Sequence, residues 1–232
     1  MVRLKLHHAH RWDLAPKEAM ALQERLRAWL RIGPGERLDP RNVKFVAGLD
    51  VAYLSETNCC YAAVALLSHP GFEMLECATV AVPSSYPYVP GLLSFREVPP
   101  LIEALRKLSR LPDLLVLDGQ GFAHPRRFGL ACHLGVLLDR PTLGIAKSLL
   151  VGEFREPSQR AGAATMLRDK GEQVGWAFRS RAGCKPVFVS AGHRLSLRES
   201  LAWARRLRGE YRQPDVTRLA HLLSRRLMHG EI

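Results

Sequence analysis

Val43-Lys44-Phe45-Val46-Ala47-Gly48-Leu49-Asp50-Val51-Ala52-Tyr53 is an apolar, strand-like run with a single carboxylate set inside it. Two more runs of strand composition follow closely, residues 60–67 and 74–82. A polar turn at residues 55–58 and the turn His69-Pro70-Gly71 join them, and links this short suit antiparallel neighbours. The first run therefore opens a three-strand meander. Beyond a helical stretch at residues 94–108, with Leu101, Leu105 and Leu108 at helical spacing, the pattern changes to alternation. The wholly apolar strand Leu114–Leu117 leads to a helix over residues 128–138 and then to the strand Thr142–Ala146. Strands alternating with helices imply parallel pairing by crossovers. Residues 158–169 read as a weaker helix, and 174–178 and 187–189 as two strands around a hairpin turn at 179–185. Residues 197–207 and 215–228 read as closing helices. Upstream, Pro16 suits a first helical turn, Leu22, Leu26, Trp29 and Leu30 share one face, and Gly33-Pro34-Gly35 ends the helix. The expected fold is α/β: a mixed sheet with helices on both faces, in a single domain over residues 1–232.

Composition narrows the class. The chain has 232 residues, 47% hydrophobic and 24% charged, which is ordinary globular usage and far from the disordered class. No uninterrupted apolar stretch approaches the roughly 20 residues of a membrane span. The first thirty residues lack an apolar signal-peptide core. Five cysteines form no Cys-x-x-Cys pair, and an odd number cannot pair fully within one chain, so free thiols in a reducing compartment are expected. A soluble, cytoplasmic protein acting as a monomer is the expectation.

The charge is uneven. Lys and Arg number 34 against 22 Asp and Glu, a formal +12, and 27 of the cations are arginine, whose planar fork suits phosphate. Residues 42–100 alone run the other way, with two bases against five acids. A basic body around an acidic strip fits polyanion binding with metal or acid chemistry in the middle. An arginine-rich composition with a solvated surface accounts for the charge equally well.

The acids are better placed than the charge alone reveals. Asp118 emerges at the carboxyl end of Leu114–Leu117, the edge at which open α/β sheets bind ligands. Asp50 lies inside an apolar strand, where a lone carboxylate is costly unless paired, hydrogen-bonded or on a metal. Singly, each has a plainer reading as a bulge, turn or cap acid; together, on different core strands, they suit a shared hard cation such as Mg²⁺. Asp118-Gly119-Gln120-Gly121-Phe122-Ala123-His124-Pro125 offers glycines for close backbone approach, and His124 is either functional or a capping histidine. Lys147 follows the strand Thr142–Ala146 and so emerges at the same edge. In Tyr86-Pro87-Tyr88-Val89-Pro90-Gly91, two prolines stiffen an aromatic protrusion, which either packs on the core or serves as a wedge for an unstacked base. Glu97 stands in the first turn of the next helix, where an acid also suits the dipole.

These blocks carry a resemblance. Residues 87–97, Pro-Tyr-Val-Pro-Gly-Leu-Leu-Ser-Phe-Arg-Glu, resemble the hallmark segment of the endonuclease V (deoxyinosine 3′-endonuclease) family. Asp118-Gly119-Gln120-Gly121 with His124-Pro125-Arg126, followed by residues 141–148, resembles its second block. Residues 48–53 and Ser190-Ala191-Gly192-His193-Arg194 are similar to weaker family motifs, and the likeness runs from about residue 13 to 228. The resemblance implies a ribonuclease H-like fold and Mg²⁺-dependent nicking, with Mn²⁺ as a substitute, at the second phosphodiester bond 3′ to deoxyinosine. That cut leaves a 3′-hydroxyl and a 5′-phosphate. By position it implies metal ligation by Asp50, Asp118 and Glu97, with Lys147 and His124 beside the scissile phosphate. Tyr88, flanked by Pro87, Val89 and Pro90, would be the wedge; Gly91, Gly119 and Gly121 would line the base pocket, and His193 would contact DNA. Inosine-containing RNA is the alternative substrate, because no residue distinguishes ribose from deoxyribose. The stretch His7–His10 and the basic C-terminal end fall outside the resemblance.

Overall fold

The computed structural model describes residues 3–232. Helix α1 (Pro16–Arg27) precedes the meander β1 (Phe45–Leu54), β2 (Cys59–Ser68) and β3 (Met74–Pro83). Then follow α2 (Leu93–Lys107), β4 (Leu114–Leu117), α3 (Leu130–Leu138) and β5 (Thr142–Ala146). The rest comprises β6 (Glu153–Phe154), β7 (Ala164–Asp169), β8 (Glu172–Phe178), β9 (Val187–His193), α4 (Leu197–Arg206) and α5 (Asp215–Met228). One nine-stranded sheet runs in the order β3-β2-β1-β4-β5-β9-β8-β7-β6. Pairing is parallel for β1–β4 and β4–β5 and antiparallel elsewhere, the mixed sheet of a ribonuclease H-like fold.

Period-two alternation explains why the central strands read as unbroken apolar runs. Leu115 and Leu117 of β4 face a core shared with Val98, Leu101 and Leu105 of α2 and Leu134 of α3. Leu114 and Val116 face the other core, with Trp203 of α4 and Val216 and Ala220 of α5. A strand covered on both faces needs apolar side chains at every position.

The expected helix at residues 158–169 is corrected: its second half is β7. Asp169 pairs with Glu172 across the two-residue loop Lys170-Gly171, both at positive φ (53° and 80°), which is a tight hairpin turn. The run Ala163-Ala164-Thr165-Met166-Leu167 suggests a helix by composition, but pairing with β8 buries Leu167 and overrides that propensity. Glu97 is also corrected by one position: α2 begins at Leu93, so Glu97 lies just past the first turn, where the helix dipole gives it little support.

Candidate active site

Register brings the two aspartates together. Leu49 of β1 pairs in parallel with Leu117 of β4, so Asp50 and Asp118 occupy the next positions on neighbouring strands. The Asp118 N–H donates to the Leu49 carbonyl at 3.2 Å. Adjacent strands lie about 4.8 Å apart, so these carboxylates are neighbours by construction. From β5, on the other side of β4, the Lys147 Nζ reaches Asp118 Oδ2 at 2.8 Å.

A third candidate ligand, of a second type, arrives from far along the chain. His221 of α5 places Nδ1 3.3 Å from Asp50 Oδ2, and the Ser224 hydroxyl donates to the same oxygen. Ligand atoms of Asp50, Asp118 and His221 all lie within 4.8 Å of one another. Gly48 makes this approach possible, because a Cβ there would stand 1.8 Å from the Val216 carbonyl oxygen. From that contact, two strand residues advance about 6.6 Å and five helix residues about 7.5 Å, which carries His221 over Asp50. Sequence reasoning missed His221: it lies in an ordinary amphipathic helix pattern, and only its contact through Gly48 marks it out.

Glu97 stands beside this group rather than within it. Desolvation pushes its carboxyl well above the ordinary range, Asp50 and Asp118 add repulsion, and the Arg96 guanidinium opposes the shift. Two carboxylates and an imidazole, with a third carboxyl held up partly by their charge, form a donor set that fits a divalent cation.

A cavity of about 310 Å³ opens onto Asp118 and Lys147 and is also lined by Tyr88, Pro90, Gly91, Gly119, Gln120 and His124. That volume is at the lower end of small-ligand pockets. A larger cleft of about 790 Å³ lies at the opposite end of the parallel strands, by Leu115 and Pro141, and includes none of the carboxylate group. Chemistry, not size, therefore selects the smaller cavity. His124 is buried, and its Nε2 donates to the Gly91 carbonyl at 3.0 Å. Burial first, then the Arg126 charge, lowers its pKa to about 4 and keeps it neutral. Gln23 at 3.1 Å and Arg126 at 2.6 Å donate to the same carbonyl, so three side chains hold the Gly91 turn in place.

The remaining expected residues divide. Tyr88 is 64% exposed, and Arg96 lies under it, 5.3 Å from its ring centroid and 4.1 Å from that of Tyr53. Pro87 is exposed beside it, while Val89 packs back onto the core. Gly121 is not in the cavity wall: its N–H donates to Ser190 Oγ at 2.8 Å, and a Cβ would stand 2.3 Å from the Ala191 carbonyl oxygen. Its glycine thus serves to seat the loop on β9. His193 requires the larger correction. It pairs with Thr142 at the far end of β5, is 2% exposed, and bonds Asp139 at 3.1 Å through Nε2. It is an internal clamp, away from the cavity that Asp118 and Lys147 share.

Comparison with known proteins gives the family. A family model described as Endonuclease V matches residues 31–222. The chain belongs to the Endonuclease V family. The Endonuclease V of Nostoc punctiforme is 41% identical over 221 residues, covering 95% of this chain and 99% of that protein. Among solved structures, Endonuclease V from Streptomyces avermitilis is 41% identical, with a TM-score of 0.89 over 95% of this chain and 96% of that one. Endonuclease V from Ciona intestinalis, solved with a 24mer DNA containing an inosine followed by a ribo-adenosine, is 28% identical, with a TM-score of 0.80 over 93% and 98% of the two chains. The family is one of nucleases, and this member places acidic residues to hold a metal. None of its helices, among the described residues, is long and apolar enough to cross a membrane.

Proposed function

We propose that this member of the family is a Mg²⁺-dependent repair endonuclease, working as a single-domain cytoplasmic monomer. It nicks DNA at the second phosphodiester bond 3′ to deoxyinosine and leaves a 3′-hydroxyl and a 5′-phosphate. The observation that carries this reading is the convergence of Asp50, Asp118 and His221 within 4.8 Å beside the cavity behind Tyr88. Asp50, Asp118 and His221 would hold the cation, with Glu97 as a further carboxylate next to them. When bound, the cation supplies charge stabilisation at phosphoryl oxygens and lowers the pKa of water. Mn²⁺, which shares the preference of Mg²⁺ for carboxylate and water oxygens, would substitute.

The chain's own groups carry the rest. Ser224, donating to Asp50, fixes the orientation of that carboxylate. Lys147, in contact with Asp118, presents an ammonium to the phosphate. Neutral His124 acts through the Gly91 carbonyl, holding the turn that forms one wall of the pocket. The exposed Tyr88 ring fills the gap left by an extruded base, whose weakened pairing lowers the cost of extraction. Backbone at Gly91 and Gly119 lines the pocket.

The test is incubation with end-labelled strands containing deoxyinosine, inosine in RNA, or neither, with Mg²⁺ and with chelator. Metal-dependent cutting one nucleotide beyond the lesion's 3′ neighbouring bond is expected on deoxyinosine DNA. Equal cutting of undamaged DNA, or undiminished cutting in chelator, would overturn the reading; faster cutting of the RNA would move the substrate to RNA. Sedimentation checks the monomer.

A further inference from the structure

Arg212, in the loop between α4 and α5, joins three segments around the site. Its guanidinium donates to the carbonyls of Lys147 at 2.6 Å, Pro186 at 2.9 Å and Lys185 at 3.0 Å. Its own carbonyl accepts the Ser180 hydroxyl, which anchors the loop from behind. The contact with Lys147 falls where the sheet stops supporting the chain. The β5–β9 ladder ends at the Ala146–Phe188 pair, one residue before Lys147, and the following residues 147–150 are exposed. The backbone that carries the ammonium to Asp118 is thus tied down by a charged side chain rather than by strand pairing. A charged donor forms the stronger class of hydrogen bond, and a planar fork reaches several carbonyls at once.

We propose that Arg212 is a positioning residue for strand cleavage. It fixes the Lys147 backbone, and through it the ammonium between Asp118 and the incoming phosphate. This rests on the reading of Lys147 as a cleavage residue. Misplacement of such a group by an ångström is enough to slow a reaction about 10²-fold. A surface staple would instead show only in stability, and a direct phosphate contact would show in affinity and its salt dependence.

The test compares Arg212→Ala, Arg212→Lys, Lys147→Ala and the Arg212→Ala/Lys147→Ala double variant on deoxyinosine duplex with Mg²⁺. Arg212→Ala should lower kcat roughly 10–100-fold with KM and melting temperature nearly unchanged. Free guanidinium ion should restore part of that loss, and Arg212→Lys should fall between, because one ammonium cannot span three carbonyls. The double variant should be no slower than Lys147→Ala, since both changes act through one group. Without substrate, amides of residues 147–150 should exchange faster in Arg212→Ala while those of β4 do not. Additive losses, a raised KM with a flatter salt dependence, or unchanged exchange would overturn the inference. Loss in Lys147→Ala without loss in Arg212→Ala overturns it alone. Full-rate cleavage by Lys147→Ala overturns the Lys147 reading, and this inference with it. If Arg212→Ala does not fold, Arg212→Lys carries the same comparisons.

Discussion

The sheet carries an aspartate–histidine pair at each end, and the two are built for opposite purposes. At the far end, Asp139 takes two bonds from Arg194, at 2.7 and 2.6 Å, and one from His193. The Arg194 guanidinium, more than His193, holds the Asp139 carboxyl well below the usual range. At the near end, Asp50 receives Ser224 and faces His221, but its other neighbours include Asp118 and Glu97, carboxyl groups that repel rather than neutralise it. Lys147 is the cation in contact with Asp118. Similar residue types thus give a satisfied clamp where an arginine supplies the charge, and a cation-seeking cluster where carboxylates outnumber it. Both ends open to a cavity, the larger one at the clamp, so carboxylate chemistry rather than space distinguishes the near end.

Removing either aspartate of the near end is the strongest way to break this contrast. Asp50→Ala or Asp118→Ala should abolish cleavage, by roughly 10³-fold or more, the several kcal/mol that cation-assisted charge stabilisation supplies. The fold should survive, and a Mg²⁺-dependent rise in melting temperature seen with the native chain should vanish. Full-rate turnover by either variant would remove the cluster from the mechanism.

Acid should attack the satisfied end and the pocket wall. His124 of the pocket wall and His193 of the clamp are buried, and burial lowers the pKa of each, His124 to about 4. The folded state keeps them neutral while the unfolded chain binds protons below about 6.5. Their contribution is therefore complete above about pH 6.5 and is lost as pH falls, for His124 down to about 4, by up to about 1.4 kcal/mol per pH unit while the folded form stays unprotonated. Denaturant titrations from pH 7 to 4.5 measure this; a flat midpoint would contradict it.

Asp139→Ala reverses the signature of the near-end variants. Arg194 and buried His193 lose their partner, at about 2 kcal/mol, since Asp139 is partly open to solvent. The melting temperature should fall, while cleavage per folded molecule stays near native. A cleavage loss larger than the unfolded fraction would bring the two ends into one network.

Tyr88→Ala should give the smallest change. Stability should hardly move, because the ring is 64% exposed. Duplex lesion recognition should weaken by about 1 kcal/mol, the low end for base stacking, because Arg96 already occupies one side of the ring. The loss should be smaller on single strands. Equal losses on both substrates with a lower melting temperature would make Tyr88 a packing residue.

Much of this protein is local enough to read from residues alone. The meander follows from short links, the parallel centre from strand–helix alternation, and Asp118 and Lys147 from their places after apolar strands. Asp50 was visible as an acid in apolar company and the proline-bracketed Tyr88 as a stiff protrusion, while Glu97 read as an ordinary first-turn acid and gained a site role only from the resemblance of residues 87–97. What the sequence could not decide is whatever depends on approach between distant segments. Strand β7 exists because β8 pairs with it, against the composition of residues 163–167. His193 resembles a site residue, yet antiparallel pairing with β5 carries it to the wrong end of the sheet. His221 and Ser224 join Asp50 across more than 170 residues because Gly48 lets α5 lie against β1. Periodicity and turn chemistry act over a few residues and so are written locally; which side chains share a site depends on packing distances that no single segment contains.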